Sequence, residues 1–267
     1  MHPKLFEIFG VPVYSYGLML GLAFLIGSYL FTRELKRMGM DENIGVTITI
    51  LAIFGGIIGG KIFYVLEEWN FGKGASIKSL LGSDLLSPAG LTFYGGLILA
   101  IILIYIYVKY KKLHFLQIID AMVPGATLGY GIARIGCHLS GDGCYGIQVN
   151  NTFWEFIGCE YSKGIVPTNP GELVHPTPLY ELGYAVIIFI ILWLLRKNTK
   201  YYGQLFYIYL IFTGLGRFLV EFIRRNPKVI FNLSQAQLIS IIIIILGGFM
   251  LIYNNMKYKR QNDIQNE

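Results

Sequence analysis

Seven long apolar runs constrain this chain more than any other feature of its sequence. Each is about 20 residues long, the length of α-helix that crosses the hydrocarbon core of a bilayer. A mean hydropathy of +0.55 and a charged fraction of 14% agree with a membrane setting. We therefore predict an all-α integral membrane protein that forms a single domain over residues 1–267, with spans at 14–32, 45–66, 91–108, 116–139, 179–195, 203–223 and 235–253.

Lysine and arginine residues outside the runs predict the orientation. They are more frequent in 33–44, 109–114, 196–202 and the C-terminal tail than in the alternating connections. Because cytoplasmic connections carry the excess of basic residues, the N-terminus is predicted outside and the C-terminus in the cytoplasm.

Two connections on the predicted outer side stand out. Residues 140–178 are too many for a tight turn and are expected to form a small extracytoplasmic cap, whose aromatic residues serve as interfacial anchors or recognise a partner. Arg224, Arg225 and Lys228 lie on this side against the charge rule, and we interpret them as facing anionic lipid headgroups.

Charged side chains inside the runs indicate a functional site, because a charge at membrane depth is costly unless it meets a partner or a water-filled cavity. Arg134 opens a polar, glycine-rich stretch that ends at Gly146, and a buried arginine there suggests an anionic ligand. Arg217 and Glu221 are four residues apart, so they share a helix face and can pair. The alternative is that this pair exists only to neutralise itself.

The small residues allow several interpretations. Gly55, Gly56, Gly59 and Gly60 in the second run, with the Gly95–Gly96 pair in the third, are best explained by close helix packing.

The cysteines fall at or beyond the predicted outer end of the fourth run. A disulfide between Cys144 and Cys159 is one alternative, and a zinc site formed by Cys137, His138 and Cys144 is another, although no paired Cys-x-x-Cys unit is present. Packing of small residues near a crowded helix end is the preferred interpretation.

Six motifs, taken together and in order, resemble the prolipoprotein diacylglyceryl transferase family. They extend over nearly the whole chain and are Tyr16-Gly-Leu-Met19, Phe93-Tyr-Gly-Gly-Leu97, Gly131-Ile-Ala-Arg-Ile-Gly136, His175-Pro-Thr-Pro-Leu-Tyr-Glu181, Arg217-Phe-Leu-Val-Glu-Phe222 and Leu233-Ser-Gln-Ala-Gln-Leu-Ile-Ser240. The resemblance implies a seven-helix, multi-pass enzyme of the bacterial plasma (inner) membrane. Such an enzyme moves diacylglyceryl from phosphatidylglycerol to the cysteine thiol of a prolipoprotein signal sequence and releases glycerol phosphate.

The same resemblance implies roles for individual residues. Arg134 would hold the lipid phosphate, Arg217 would stabilise the leaving phosphate and Glu221 would orient Arg217. Arginine suits these roles because its planar fork binds phosphate through two donors. The other expected substrate contacts are Tyr16, Tyr94, Cys137 and Gly146. The expected partners are phosphatidylglycerol, prolipoprotein signal sequences and membrane lipid, with no nucleic acid, no cofactor and no metal.

The sequence also departs from the family pattern where a general base is needed. Tyr94 stands where the family usually has histidine, Cys137 and Ser140 replace asparagines, Asp142 replaces a glutamate, and Thr213 replaces a tyrosine. His138 and Asp142 are the two candidates for removing the thiol proton. A histidine suits proton transfer near neutral pH, and a carboxylate flanked by glycines is accessible.

Two other functions remain open from sequence. The chain could be a non-catalytic paralogue that binds phospholipid, or a small transporter whose buried arginines recognise an anionic solute. Transporters often contain duplicated halves, and no convincing internal repeat is visible here. Neither alternative explains the ordered set of motifs.

Overall fold

The protein is helical in a computed structural model that describes residues 1–8, 10–70, 92–149 and 155–265. Seven α-helices follow one another in these described ranges: α1 Ser15–Arg37, α2 Glu42–Asn70, α3 Phe93–Tyr110, α4 Phe115–Ser140, α5 Thr177–Leu195, α6 Gln204–Val220 and α7 Gln235–Gln265. A short 3₁₀ turn, Glu221–Ile223, continues α6.

Six of these helices are long and apolar enough to cross a membrane, which confirms a multi-pass membrane protein. The exception is α3, whose apolar part, Tyr94–Tyr110, is shorter. Each predicted span coincides with a helix. The start of the predicted third span, most of the connection before it with Lys73 and Lys78, and Trp154 lie outside the described residues.

The chain forms two compact units, of which the smaller comprises Thr32–Ile118. Within it, glycines bring α2 and α3 together, as predicted. A Cβ atom added to Gly96 would lie 2.6 Å from the Gly56 carbonyl oxygen, and one added to Gly55 would lie 2.6 Å from the Cα atom of Ala100. Any larger side chain would therefore push the two helices apart, which is the packing role that small residues have in membrane proteins.

The larger unit, Met1–Phe31 with Ile119–Glu267, contains every residue of the candidate site except Tyr94. Helices α4, α5 and α6 pack around a core of Val123, Ile188, Leu192 and Leu205. The first turn of α6 is capped from α4, because the carboxylate of Asp120 accepts hydrogen bonds from the amides of Gly203 (2.6 Å) and Phe206 (2.8 Å). A buried acid thus satisfies N–H groups that have no partner within their own helix.

Two small antiparallel hairpins were not predicted from the sequence. The first pairs β1 Lys4–Ile8 with β2 Val11–Tyr14. The second, between α6 and α7, pairs β3 Lys228–Ile230 with β4 Leu233–Ser234. Its turn residues, Phe231 and Asn232, both have positive φ angles, as a type I′ hairpin turn requires.

The connection from α4 to α5 is folded in its described parts, 141–149 and 155–176. The amide of Gly146 donates to the carbonyl of His175 (2.8 Å), and the amide of Cys159 donates to that of Val174 (3.0 Å). Tyr145, Tyr161 and Val174 form a small buried core within it. This connection is therefore a packed element that holds the end of α4 against the start of α5.

Candidate functional site

Glu181 is the centre of the candidate site. It lies in the first turns of α5, where its side chain is fully buried, and it contacts three arginines. Its Oε2 atom lies 2.5 Å from Arg134 Nε, and its Oε1 atom lies 2.9 Å from Nη1 of both Arg217 and Arg224. One carboxylate thus joins residues from α4, α5 and the end of α6.

Glu221 is the second buried carboxylate. Its Oε2 atom lies 3.0 Å from Arg217 Nη2, which is the pairing predicted from their spacing. Its Oε1 atom accepts hydrogen bonds from Asn226 Nδ2 (2.6 Å) and Ser234 Oγ (2.8 Å). Because Arg217 also contacts Glu181, the pair is part of a larger network and is not an isolated ion pair.

We call Arg134, Glu181, Arg217, Glu221 and Arg224 the arginine cluster. Within it, three guanidinium groups face two carboxylates, so positive charge exceeds negative charge by one. The carboxylate side chains are 0% exposed, whereas those of the three arginines are 12–25% exposed. An anion can therefore approach the guanidinium groups but not the carboxylates, which is the arrangement expected of an anion-binding site.

Two tyrosines complete the buried side of the cluster. The hydroxyl of Tyr130 donates to Glu181 Oε2 (2.5 Å) and lies 2.9 Å from the hydroxyl of Tyr184. The guanidinium of Arg134 stacks over the Tyr130 ring at 4.8 Å from its centroid. These contacts restrict Arg134 to one orientation.

A second group of side chains lies on the other side of the Arg134 guanidinium. The Nη1 atom of Arg134 lies 3.6 Å from Cys137 Sγ and 3.8 Å from Cys144 Sγ. Asp142 joins them, since its Oδ1 atom accepts a hydrogen bond from the Cys144 amide (3.1 Å). The ligand atoms of these three residues, which we call the thiol cluster, all lie within 4.8 Å of one another.

The thiol cluster decides between the alternatives left open for the cysteines. All three cysteines are free thiols, so the structure contains no Cys144–Cys159 disulfide. Cys144 instead contacts Cys137, whose hydrogen bond lowers the pKa of the Cys144 thiol even though burial acts in the opposite direction. The preferred interpretation, packing of small residues near a crowded helix end, stays a prediction.

His138 is directed elsewhere. Its Nδ1 atom lies 2.8 Å from the hydroxyl of Tyr161, and the two rings meet edge to face. Tyr161 is fully buried in the core of the connection. Whichever group donates, the Nδ1 atom is occupied by this hydrogen bond, and Asp142 rather than His138 accompanies the two thiols.

The other predicted substrate contacts differ in exposure and do not all lie in the same compact unit. Tyr16, at the start of α1, is 41% exposed and lies within electrostatic range of the thiol cluster. Gly146 is buried, and its carbonyl oxygen accepts a hydrogen bond from Arg225 Nε (2.9 Å). Tyr94 belongs to the smaller unit, at the start of α3, where it is 48% exposed.

Sequence reasoning missed two members of the arginine cluster. Glu181 was noted only as the last residue of one of the family-like motifs and was given no role. Arg224 was interpreted as facing lipid headgroups, and this is wrong because its guanidinium contacts Glu181. The sequence contained a signal for Arg224, because this residue lies on the predicted outer side against the charge rule. A buried acidic partner explains a basic residue on that side as well as lipid headgroups do.

Comparison with known proteins shows the family of this chain. The sequence profile of the prolipoprotein diacylglyceryl transferase family matches residues 3–253. The chain is 34% identical over 267 residues to a phosphatidylglycerol–prolipoprotein diacylglyceryl transferase of Clostridium tetani, covering 98% of this chain and 100% of the relative. It is 35% identical to phosphatidylglycerol–prolipoprotein diacylglyceryl transferase 2 of Clostridium perfringens, with 96% of each chain covered.

A third relative, from another bacterium, has the same name. The phosphatidylglycerol–prolipoprotein diacylglyceryl transferase of Leptospira interrogans is 32% identical over 294 residues, covering 93% of this chain and 91% of the relative. The similarity therefore extends over both compact units, not only over the arginine cluster. The chain belongs to the prolipoprotein diacylglyceryl transferase family.

Proposed function

We propose that this protein transfers diacylglyceryl from phosphatidylglycerol to the cysteine thiol of a prolipoprotein signal sequence and releases glycerol phosphate. The observation that carries the proposal is the surplus positive charge of the arginine cluster, next to a predominantly apolar set of helices. A phospholipid presents the same combination, a phosphate attached to two apolar chains.

The chemistry explains why arginines face the site. The thiol sulfur attacks the glyceryl carbon while the bond from that carbon to the phosphate oxygen breaks, so negative charge accumulates on the departing phosphate. Donors already held in place stabilise such charge without reorganising during the reaction. Glu181 and Glu221 hold Arg217 from two sides, at 2.9 and 3.0 Å. We assign the leaving phosphate to Arg217 and lipid binding to Arg134, with both glutamates as positioning residues.

The remaining substrate contacts follow from their positions. We expect Tyr16 to line the lipid chamber, because it is exposed and lies within electrostatic range of Arg134 and the thiol cluster. Gly146 accepts its hydrogen bond from Arg225, which is not part of the arginine cluster, and it stays a predicted substrate contact. Tyr94 stands where the family usually has a histidine, and we expect Tyr94→His to raise the transfer rate if that position faces the substrate.

Asp142 is our preferred candidate for handling the thiol proton. It lies with Cys137 and Cys144 beside Arg134, whereas the Nδ1 atom of His138 is occupied by Tyr161. A thiol with an ordinary pKa of about 8.5 is mostly protonated at neutral pH, so the reaction needs some group or charge that favours the thiolate.

We further propose that the enzyme is a seven-span protein of the bacterial plasma (inner) membrane, with its N-terminus outside and α3 as the seventh span. The basic residues of the connections support this orientation. Residues 140–178 would then lie outside as a cap. The arginine cluster adjoins this connection, so the site would open towards the side on which a secreted prolipoprotein emerges.

A purified sample given phosphatidylglycerol and a lipobox peptide tests the function directly. We expect a thioether-linked diacylglyceryl peptide by mass spectrometry, and no product from the same peptide with serine in place of cysteine. A well-folded protein that binds phosphatidylglycerol without product would support the binding paralogue instead. Uptake of an anionic solute into vesicles without product would support the transporter.

A further inference from the structure

The thiol cluster has the ligand set of a metal site. Two cysteine sulfurs and one carboxylate oxygen converge within 4.8 Å, and thiolate and carboxylate are both ligands of zinc. Zinc binds sulfur at about 2.3 Å and carboxylate oxygen at about 2.0–2.2 Å, so donors on one ion lie roughly 3.5–4 Å apart. The three side chains therefore need to close by about 1 Å or less, which small side-chain rotations supply.

The backbone around the cluster is built to keep the three donors together. Gly141 and Gly143 on either side of Asp142 have φ angles of +59° and +84°, a conformation that a residue with a Cβ atom rarely adopts. This turn brings Cys144 back towards Cys137. The Cys144 amide fixes the Asp142 carboxylate, and the hydroxyl of Thr177 donates to the Cys144 carbonyl.

The charges of the two clusters also complement each other. A Zn²⁺ ion with two thiolates and one carboxylate carries one net negative charge, whereas the arginine cluster has one surplus positive charge. Arg134 connects the two, because Nε contacts Glu181 and Nη1 lies within 3.8 Å of both sulfurs. Donors of this kind around metal ligands orient them and adjust their basicity.

We propose that Cys137, Asp142 and Cys144 bind Zn²⁺ and that the fourth tetrahedral position takes the cysteine thiol of the prolipoprotein. This inference rests on the proposed transferase function. It gives the thiol a route to the thiolate that needs no general base, because a thiol coordinated to zinc is deprotonated outright. Asp142 then acts as a metal ligand. Cys137 stands where the family usually has an asparagine, so this metal site would occur only in chains with this substitution.

The transfer step balances with these groups alone. The substrate thiol releases its proton to solvent when it binds the ion. The sulfur lone pair then forms a bond to the glyceryl carbon, and the carbon–oxygen bond to the phosphate breaks, leaving its electron pair on the phosphate oxygen. The arginine cluster stabilises that oxygen. The product sulfur is a neutral thioether, a weaker ligand than a thiolate, so the lipidated peptide can leave.

Metal binding is tested without activity. The full chain in detergent, reduced and stripped with a chelator, is titrated with Co²⁺ as a coloured probe. We expect one equivalent to give a thiolate-to-cobalt charge-transfer band that Zn²⁺ displaces, and Cys159→Ser, the matched control, to retain it. Cys137→Ser and Cys144→Ser should lose the band, and Asp142→Asn should weaken affinity by at least the about 10- to 100-fold that loss of an outer ligand partner costs. No band in the wild-type protein, or a band unchanged in Cys137→Ser, overturns the proposal.

A second measurement needs no variant. Zn²⁺ should protect Cys137 and Cys144 of the reduced wild-type chain from alkylation while Cys159 still reacts. Equal alkylation of all three with and without Zn²⁺, or a disulfide between Cys137 and Cys144 that survives in the active enzyme, rules the site out.

Activity assays separate this proposal from the function on which it rests. Chelation should abolish lipidation of the cysteine peptide, and Zn²⁺ should restore it. A stripped protein that is fully active contradicts the metal site and leaves the transferase intact. A protein that binds Zn²⁺ at the cluster but never lipidates the peptide contradicts the proposed function, and the lack of a cobalt band shift on adding that peptide contradicts substrate coordination.

Discussion

Replacing Glu181 with glutamine tests whether one carboxylate organises the site. Glutamine has the same shape, but one of its two terminal atoms donates hydrogen bonds instead of accepting them. Either Arg217 and Arg224 lose their shared acceptor, or Arg134 and Tyr130 lose theirs. Hydrogen bonds to charged groups contribute about 1.5–3 kcal/mol each, so two of them amount to about 3–6 kcal/mol. Removing one partner of a buried ion pair costs about 3–5 kcal/mol, which agrees.

This loss should appear both in stability and in rate. We expect Glu181→Gln to lower the melting temperature of the purified protein. Transfer per folded molecule should fall by about 10²–10³-fold, as when one preorganised donor to a developing anion is removed. The assay is product formation from phosphatidylglycerol and a lipobox peptide, corrected for the folded fraction.

The matched control is Glu172→Gln. Glu172 also pairs with an arginine, Arg225, but here the arginine side chain is 41% exposed and the glutamate side chain 14% exposed, so water reaches both partners. Ion pairs that water reaches contribute little to stability, so this variant should behave like the wild type. If Glu181→Gln retains wild-type rate and stability, or if the two variants lose the same amount, Glu181 does not organise the arginine cluster.

Four further outcomes are expected. Arg134→Ala should abolish transfer, and Arg134→Lys should restore little, because an ammonium group lacks the planar fork with which a guanidinium can bind Glu181 and a phosphate together. Full activity of the lysine variant would show that Arg134 contributes only its positive charge. Asp142→Asn should lower the rate, whether Asp142 takes the thiol proton itself, a role typically worth about 10²–10⁴-fold, or acts as a metal ligand, while His138→Gln stays near wild type; the reverse pattern would make His138 the base. Asp120→Ala should cost about 0.5–2 kcal/mol of stability through the lost cap of α6, with unchanged rate per folded molecule, and a rate loss would place Asp120 in the site. The hydrogen bond from Arg225 lowers the pKa of Glu172, so any advantage of the wild type over Glu172→Gln should be present above pH 4.5 and disappear as the pH falls through the lowered folded-state pKa; denaturant unfolding at several pH values checks the sign.

The sequence by itself determined the features that depend on neighbours along the chain. Apolar runs of membrane-spanning length predicted the helices, since the bilayer leaves few other ways to satisfy the backbone. The four-residue spacing of Arg217 and Glu221 predicted their contact, because helical periodicity alone places them on one face. Paired glycines predicted the close approach of α2 and α3, and the order of six motifs predicted the family.

Only the tertiary structure decided which distant residues meet. Arg134, Glu181 and Arg224 are separated by more than 40 residues from one to the next, and their contact depends on how α4, α5 and the end of α6 are rotated about their axes. Likewise, His138 and Asp142 looked equivalent as bases until the fold directed His138 to Tyr161 and Asp142 to the thiols. Helical periodicity predicts which residues share a helix face. Which other helix packs against that face depends on contacts between residues far apart in the chain, and no local sequence pattern predicts those contacts.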